Sequence, residues 1–256
     1  MDVLSANRDA WNEEVERRNY WTRIVDEETI TQAYSGNPKI WVTPSTIVPL
    51  EWIKPLKGEK VLNACGGGGQ QTPILASFGA SVTVLDNAER QLDQDRAALE
   101  KYGLEATLVK GDVSNLPFPD DSFSHIVNPC SLNFVEDISA CYREFRRVLR
   151  KGGTLIMGIA NPVLYIFDEK KQEKKLKVKY TLPYSDLTSL SRKEIEKMIR
   201  NADTIEFSHT LDSIIGGLIS SGFIIDGYFS DYSGSEPTDS FIRDAYLAIK
   251  ATLISK

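Results

Sequence analysis

The chain is poor in the residues on which most chemistry at a fixed centre relies. Its 256 residues include three cysteines, Cys65, Cys130 and Cys141, and two histidines, His125 and His209. Three scattered cysteines make no disulfide framework. Two histidines and no Cys/His cluster at ligand spacing mean that no protein-bound metal is expected. No apolar run is long enough to span a bilayer. The start, Met1-Asp2-Val3-Leu4-Ser5, has no basic stretch leading into an apolar one, as a signal peptide would. A cytoplasmic location and no membrane partner are the expectation. Positive charge is in deficit: 30 Lys and Arg against 36 Asp and Glu give a formal charge of −6. That balance disfavours a nucleic-acid partner. The lysine-rich piece from Glu169 to Lys179 reads as a solvated loop or strand edge.

What is present is an ordinary globular composition, 41% hydrophobic and 26% charged. It suffices for one large α/β domain with insertions or two small ones. Residues 5–53 read as amphipathic and helical, with Trp11, Val15 and Arg18 at helical spacing and a second apolar patch of Tyr20, Trp21, Ile24 and Val25. Gly36-Asn37-Pro38 interrupts this pattern, and Thr43-Pro44 reads as an N-cap followed by proline at the first helical position. These aromatic side chains pack a helical layer onto the domain, contact a substrate, or do both as the roof of a cleft.

From residue 60 strands and helices alternate. Strands are expected at 60–64, 81–86, 104–110, 123–128 and 154–160. Helices are expected at 70–79, at 88–102 and after Asp137, which can cap its helix. Residues 161–208 break the rhythm, with a helix-like piece at 191–201, and read as a lid or substrate element. A helix at 210–221 and strands at 223–231 and 242–252 follow. The last connection is too short for a crossover helix, so that pair should be antiparallel. The fold class is α/β, with a mostly parallel sheet covered by helices on both faces. The implied divisions are an N-terminal helical cap, 1–57, a core, 58–160, a lid insertion, 161–208, and a closing segment, 209–256.

The chain is organised around Lys60-Val61-Leu62-Asn63-Ala64-Cys65-Gly66-Gly67-Gly68-Gly69-Gln70-Gln71, in which a strand runs into four glycines. The next strand ends on Asp86, which can accept from both hydroxyls of a ribose. Strand, glycine turn, helix, strand and acid form a nucleotide-type cofactor site. In a dinucleotide pattern, Gly67-x-Gly69 would be followed by glycine where Thr72 stands.

These features come with Gly111-Asp112-Val113 after the third strand, Leu116-Pro117-Phe118-Pro119-Asp120-Asp121-Ser122-Phe123 before the fourth, and Phe145-Arg146-Arg147-Val148-Leu149-Arg150-Lys151-Gly152-Gly153 before the fifth. In that order and spacing the chain resembles the class I S-adenosylmethionine (SAM)-dependent methyltransferases, in the small-molecule branch with a methyltransferase type 11 domain. The likeness is close over 58–160. It implies a Rossmann-like, seven-stranded, mostly parallel sheet whose last strand is antiparallel. It departs at Cys65, where the family has its first glycine, at Asn63, where it has an acid, and at Ser124, where it has aspartate. Cysteine at position 65 narrows the space beside the methionine moiety.

The resemblance implies SAM as cofactor, S-adenosylhomocysteine (SAH) as product and a small-molecule methyl acceptor. It sets the backbone of Ala64, Cys65, Gly66 and Gly67 against the methionine portion and gives Asp86 the ribose. It lays Asn87 and Gln91 along the adenosine. Asp112 takes the adenine amino group while Val113 packs the ring, and Asn128 and Pro129 lie beneath the sulfonium end. Substrate contacts are expected from Trp21, Ser131, Asn161, Tyr165 and Tyr184, with Trp41, Phe167 and Asp168 as further loop candidates. Candidates for a catalytic group are His209, Asn133 and Tyr165, although His209 also reads as a packing residue and His125 as a core histidine. Cys65 and Cys130 end neighbouring strands, either simply buried or facing the cleft as a reactive pair. The alternative to an enzyme is a non-catalytic sensor that binds SAM or another adenosine ligand.

Overall fold

In the computed structural model, residues 1–167 and 176–256 are described. Asp168 and most of the lysine-rich piece lie outside them. The sheet comprises β1 (Lys60–Ala64), β2 (Ser81–Asp86), β3 (Thr107–Lys110), β4 (Phe123–Asn128), β5 (Leu149–Ala160), β6 (Phe223–Asp231) and β7 (Tyr246–Leu253). The order is β3-β2-β1-β4-β5-β7-β6. β7 is antiparallel to both its neighbours, and the other pairs are parallel. Order reverses between β1 and β4, and beyond their carboxyl ends such a sheet leaves a crevice for ligands.

Helices cover both faces. On one side α2 (Glu27–Tyr34), α3 (Leu50–Ile53) and α4 (Gln71–Phe78) bury Ile30, Trp52, Ile53, Ile74 and Leu75 against Val61, Val127 and Ile156. On the other, α6 (Ile138–Val148) buries Cys141, Tyr142, Phe145 and Val148 against Leu62, Ile126 and Leu155. Spacing of three and four residues puts that α6 set on one face. Asp137 caps α6 by accepting from the Ser139 amide at 2.9 Å. α5 (Glu89–Tyr102) buries Leu92, Ala98 and Leu99 but also Gln91 and Asp95, while Ala97 is exposed. Helices α4 and α5 end at Gly79 and Gly103, both at positive φ, where glycine carries no Cβ penalty.

The N-terminal residues form α1 (Val3–Glu16), a 3-10 turn at Tyr20–Thr22, and α2. Arg18 lies past the end of α1 at φ 54, so it does not extend the stripe of Trp11 and Val15. Thr43-Pro44 starts no helix, and residues 41–49 are a loop. Its amides are already engaged: Ser45 and Thr46 N–H donate to Asp231 Oδ2 at 2.7 and 2.8 Å, and Val48 N–H to Ile40 O at 2.8 Å.

In the later chain α7 (Asp186–Ser189) and α8 (Arg192–Arg200) precede a π-turn at Asp212–Gly216 that runs into α9 (Gly217–Ser220). The expected helix at 210–221 is therefore shorter and irregular. The connection between β6 and β7 holds α10 (Thr238–Phe241), and β7 starts later than expected. β5 starts earlier, at Leu149, across a register shift against β4. No described helix is long and apolar enough to cross a membrane.

The 41–49 loop lies directly over β5. Cys130 N–H donates to Val42 O at 3.1 Å, and a Cβ on Gly158 would stand 1.7 Å from that same carbonyl oxygen. Neither backbone can yield without losing its ladder or its loop bonds. Gly158→Ala should therefore cost about 3 kcal/mol, the upper end for overpacking, in urea unfolding. An unchanged midpoint would show that the loop does not rest on the strand.

Candidate active site

The turn after β1 is shaped for close approach. Cys65 adopts φ 52, in the left-handed region that side chains rarely occupy, and its N–H donates to Leu85 O at 2.7 Å. Gly68 and Gly69 follow at φ 111 and 76. A Cβ on Gly67 would meet Gln91 Cβ at 2.7 Å and Asp86 Oδ2 at 2.9 Å, so the loop can lie against the tip of β2 only without side chains.

Asp86 sits at that tip, half-buried. Gly67 N–H donates to its Oδ2 at 3.1 Å and Ala88 N–H to its Oδ1 at 2.9 Å. Burial pushes its pKa up from 3.8 to about 6, against the Ala88, Gly67 and Asn87 amides, which favour the ionised form. Asp112 lies beyond β3, its carboxyl accepting from Ser114 N–H at 2.9 Å and Ser114 Oγ at 2.7 Å. It thus forms a tight turn and also lines the same cavity.

That cavity has a volume of about 890 Å³, in the range of small-molecule sites. Of the sequence candidates, Cys65, Gly67, Asp86, Asn87, Gln91, Asp112, Val113 and Pro129 line it, as do Trp21, Trp41, Ser131, Asn133, Tyr165, Phe167 and Tyr184. Five do not. Ala64 and Gly66 are buried behind the turn. Asn128 is buried and donates to Ala64 O at 2.7 Å and Ser131 Oγ at 2.8 Å, tying β4 to β1. Asn161 is an N-cap, accepting from Val163 N–H at 3.1 Å and donating to Asp244 O at 2.8 Å. His209 is buried with Nε2 2.9 Å from Leu132 O, and burial lowers its pKa, so it packs and does not reach the cavity. His125 is likewise buried, beside Thr154.

Cys65 and Cys130 both face the cavity. Burial drives both thiols well above their ordinary pKa, with Asp86 adding to the effect at Cys65 and Asp231 at Cys130. They are therefore protonated at neutral pH and poor nucleophiles, which favours packing over a reactive pair.

Among the lining residues, Asn7 and Glu206 carry no local sequence signal. The segment 20–25 roofs the glycine turn through Val25 N–H to Gly69 O (2.9 Å), Gln94 Nε2 to Thr22 O (2.7 Å) and Gln70 Nε2 to Tyr20 O (3.1 Å). Asn7, on α1, donates to Phe134 O and Ile205 O, each at 3.0 Å, and accepts from Ile205 N–H at 2.7 Å. One amide thus latches the helical layer to the far wall. At that wall Tyr184 stacks on Tyr165 with ring centroids 5.6 Å apart and meets Tyr180 edge-on at 5.0 Å. Their hydroxyls are fixed by carboxylates: Tyr165 donates to Glu206 at 2.8 Å and Tyr184 to Asp186 at 2.7 Å. Among the described residues no group of three or more His, Cys, Asp or Glu is arranged to hold a metal.

Residues 62–157 match the model of the methyltransferase domain family. The chain is 44% identical over 250 residues to YbaJ of Bacillus subtilis, an uncharacterized methyltransferase, an alignment covering 96% of each protein. The chain belongs to the SAM-dependent class I methyltransferases. It is also 31% identical over 166 residues to a demethylmenaquinone methyltransferase of Staphylococcus epidermidis, covering 62% of this chain and 66% of that one. In fold it is similar to a SAM-dependent methyltransferase from Mesorhizobium loti, with TM-score 0.59 and 19% identity over 79% of this chain and 96% of that one. This methyltransferase departs from its family at Cys65 in a way that has a conformational cost. Left-handed backbone is strained by about 1–2 kcal/mol in a residue with a side chain, offset by the smaller unfolded-state entropy of a non-glycine. Cys65→Gly should therefore change unfolding free energy by less than about 1 kcal/mol, although it removes a packed side chain. A loss of several kcal/mol in denaturant titration would show that the thiol is needed for packing.

Proposed function

We propose that this methyltransferase moves a methyl group from SAM to a small-molecule acceptor held in the aromatic part of the same cavity. The observation that carries this reading is the continuity of one cavity from the Asp86 carboxylate and the glycine turn to the tyrosine-lined wall. The site fits the cofactor. A half-buried carboxylate fixed by two amides leaves lone pairs for two ribose hydroxyls, and the turn is clear of side chains where the ligand backbone must approach. SAM, when bound, supplies the electrophilic methyl group together with its leaving group.

The protein's own residues bind, orient and shield. Asp86 accepts from the ribose, Asp112 accepts from the adenine amino group and Val113 packs the ring. Cys65, Gly67 and Gln91 border the cofactor, and Asn87 sits at its outer edge, where Nδ2 also holds Leu4 O at 2.8 Å. Pro129 and Ser131 floor the junction with the acceptor space. Trp21, Trp41, Tyr165 and Tyr184 enclose the acceptor and exclude water, which favours a single in-line approach. Neither histidine reaches the cavity, and Tyr165 already donates to a carboxylate. At the acceptor end the carboxylates of Asp186 and Glu206 hold Tyr184 and Tyr165, and Asn133 orients the acceptor.

Calorimetry with SAH tests the cofactor half of this reading. Asp86→Ala should weaken binding by about 1–3 kcal/mol through loss of charged hydrogen bonds, and unchanged affinity would remove Asp86 from the site. The sign of the pH dependence follows from its raised pKa. The carboxylate is the form that accepts two hydroxyls, so affinity should be level above pH 6 and fall as pH drops through about 6, by roughly tenfold per unit below it. Asp86→Asn should abolish that inflection. Methyl release to a panel of small nucleophiles tests the acceptor half.

A further inference from the structure

Asp95 lies one turn beyond Gln91 on α5 and is fully buried. It belongs to none of the cavity walls. Its Oδ1 accepts from Gly69 N–H at 3.2 Å, and its Oδ2 has no hydrogen-bond partner among the described residues. Behind it runs a short relay. Asn63 Nδ2 donates to Gly66 O and to Thr72 Oγ1, both at 2.9 Å. Burial raises the Asp95 pKa to about 8 and the charge of Asp86 adds to this. The Thr72 hydroxyl and the Gly69 and Gly68 amides act in the other direction. A carboxyl group kept in such a place is costly, and what it holds is the back of the glycine turn. The turn needs holding, because Gly68 and Gly69 have the widest conformational freedom of any residue type and their amides face the protein interior, where an unpaired donor is expensive.

We propose that Asp95 is the positioning residue of the cofactor turn, holding Gly68 and Gly69 from behind so that Gly67 N–H stays on Asp86, and thereby setting affinity for the adenosine ligand without touching it. This rests on the reading in which Asp86 takes the ribose of SAM. α5 delivers three contacts to the turn from one face: Gln91 O accepts Gly68 N–H at 3.0 Å, Gln94 O abuts Gly69, and Asp95 takes Gly69 N–H. Of these three contacts, that of Asp95 is made by a side chain, which a substitution can remove while the helix backbone remains.

The test is a double-mutant cycle on SAH binding, read by calorimetry, with unfolding followed in parallel. Asp95→Ala should weaken SAH about tenfold, as expected for loss of one hydrogen bond to a charged or polar anchor. Asp95→Asn keeps an oxygen for Gly69 N–H and should recover most of that loss. Because Asp95 acts through the turn on Asp86, Asp86→Ala combined with Asp95→Ala should weaken binding at least about fivefold less than the product of the single effects. Multiplicative effects, or no rescue by asparagine, would overturn the proposal, since a general loss of stability would not be specific to Asp86. If Asp95→Ala does not fold, Asp95→Ser takes its place in the cycle under the same criterion. If the unmodified protein does not bind SAH, the proposed function and this role fall together. If it binds and the effects multiply, only the role of Asp95 falls.

Discussion

The candidate site depends on a carboxylate that the fold must both bury and keep available. Asp86 loses water on most sides and is compensated by backbone amides, a choice with structural consequences. Amides can reach a strand tip only if the preceding turn carries no side chains there, which fixes glycine at position 67. The strands must also be parallel neighbours, so that the turn after β1 and the tip of β2 face the same edge, and β1 and β2 pair in register from Lys60–Ser81 to Ala64–Leu85. The reversal of order between β1 and β4 then leaves the crevice in which these amides are exposed.

The same requirement explains the roof. A carboxylate open to bulk water would attract hydroxyl groups only weakly, because water competes for each bond. Residues 20–25 close over the turn, and their hydrogen bonds go to the turn and α5 themselves. Asn7 extends the closure to the opposite wall with three bonds from one side chain. The N-terminal layer is therefore tied both to the glycine turn and, through Asn7, to the opposite wall of the cavity, so motion of α1 would disturb both.

Much of this was legible in the sequence because its causes are local. The glycine run, the acid after an apolar strand, the Asp137 cap and the alternation of strands and helices each announce themselves within a few residues. The failures share a different cause. Thr43-Pro44 has the chemistry of a helix start, but the carboxylate that captures the neighbouring amides is Asp231, on the far end of the chain. Asn161 follows β5 and His209 heads the expected helix at 210–221, yet each spends polar atoms on a backbone carbonyl beside it. Asn128 ends the right strand but points into the seam with β1. Asp95 sits among the polar Asp93, Gln94 and Arg96, and its burial comes from the glycine turn folded against α5.

The two ends of the cavity are built differently. At the glycine-turn end the geometry rests on backbone amides and the Asp86 carboxylate, so little can vary there without loss of the turn. At the other end the walls are side chains from a 3-10 turn and loops: Tyr165 follows β5, Tyr180 and Tyr184 precede α7, and Glu206 comes after α8. Hydrogen bonds to Glu206 and Asp186 hold two of these tyrosines in place, and rigid aromatic walls select by shape at small entropic cost. In the proposed function, where methyl transfer draws its reactivity from the cofactor, changes in this wall would alter which nucleophile is admitted while the chemistry at the glycine turn stays the same.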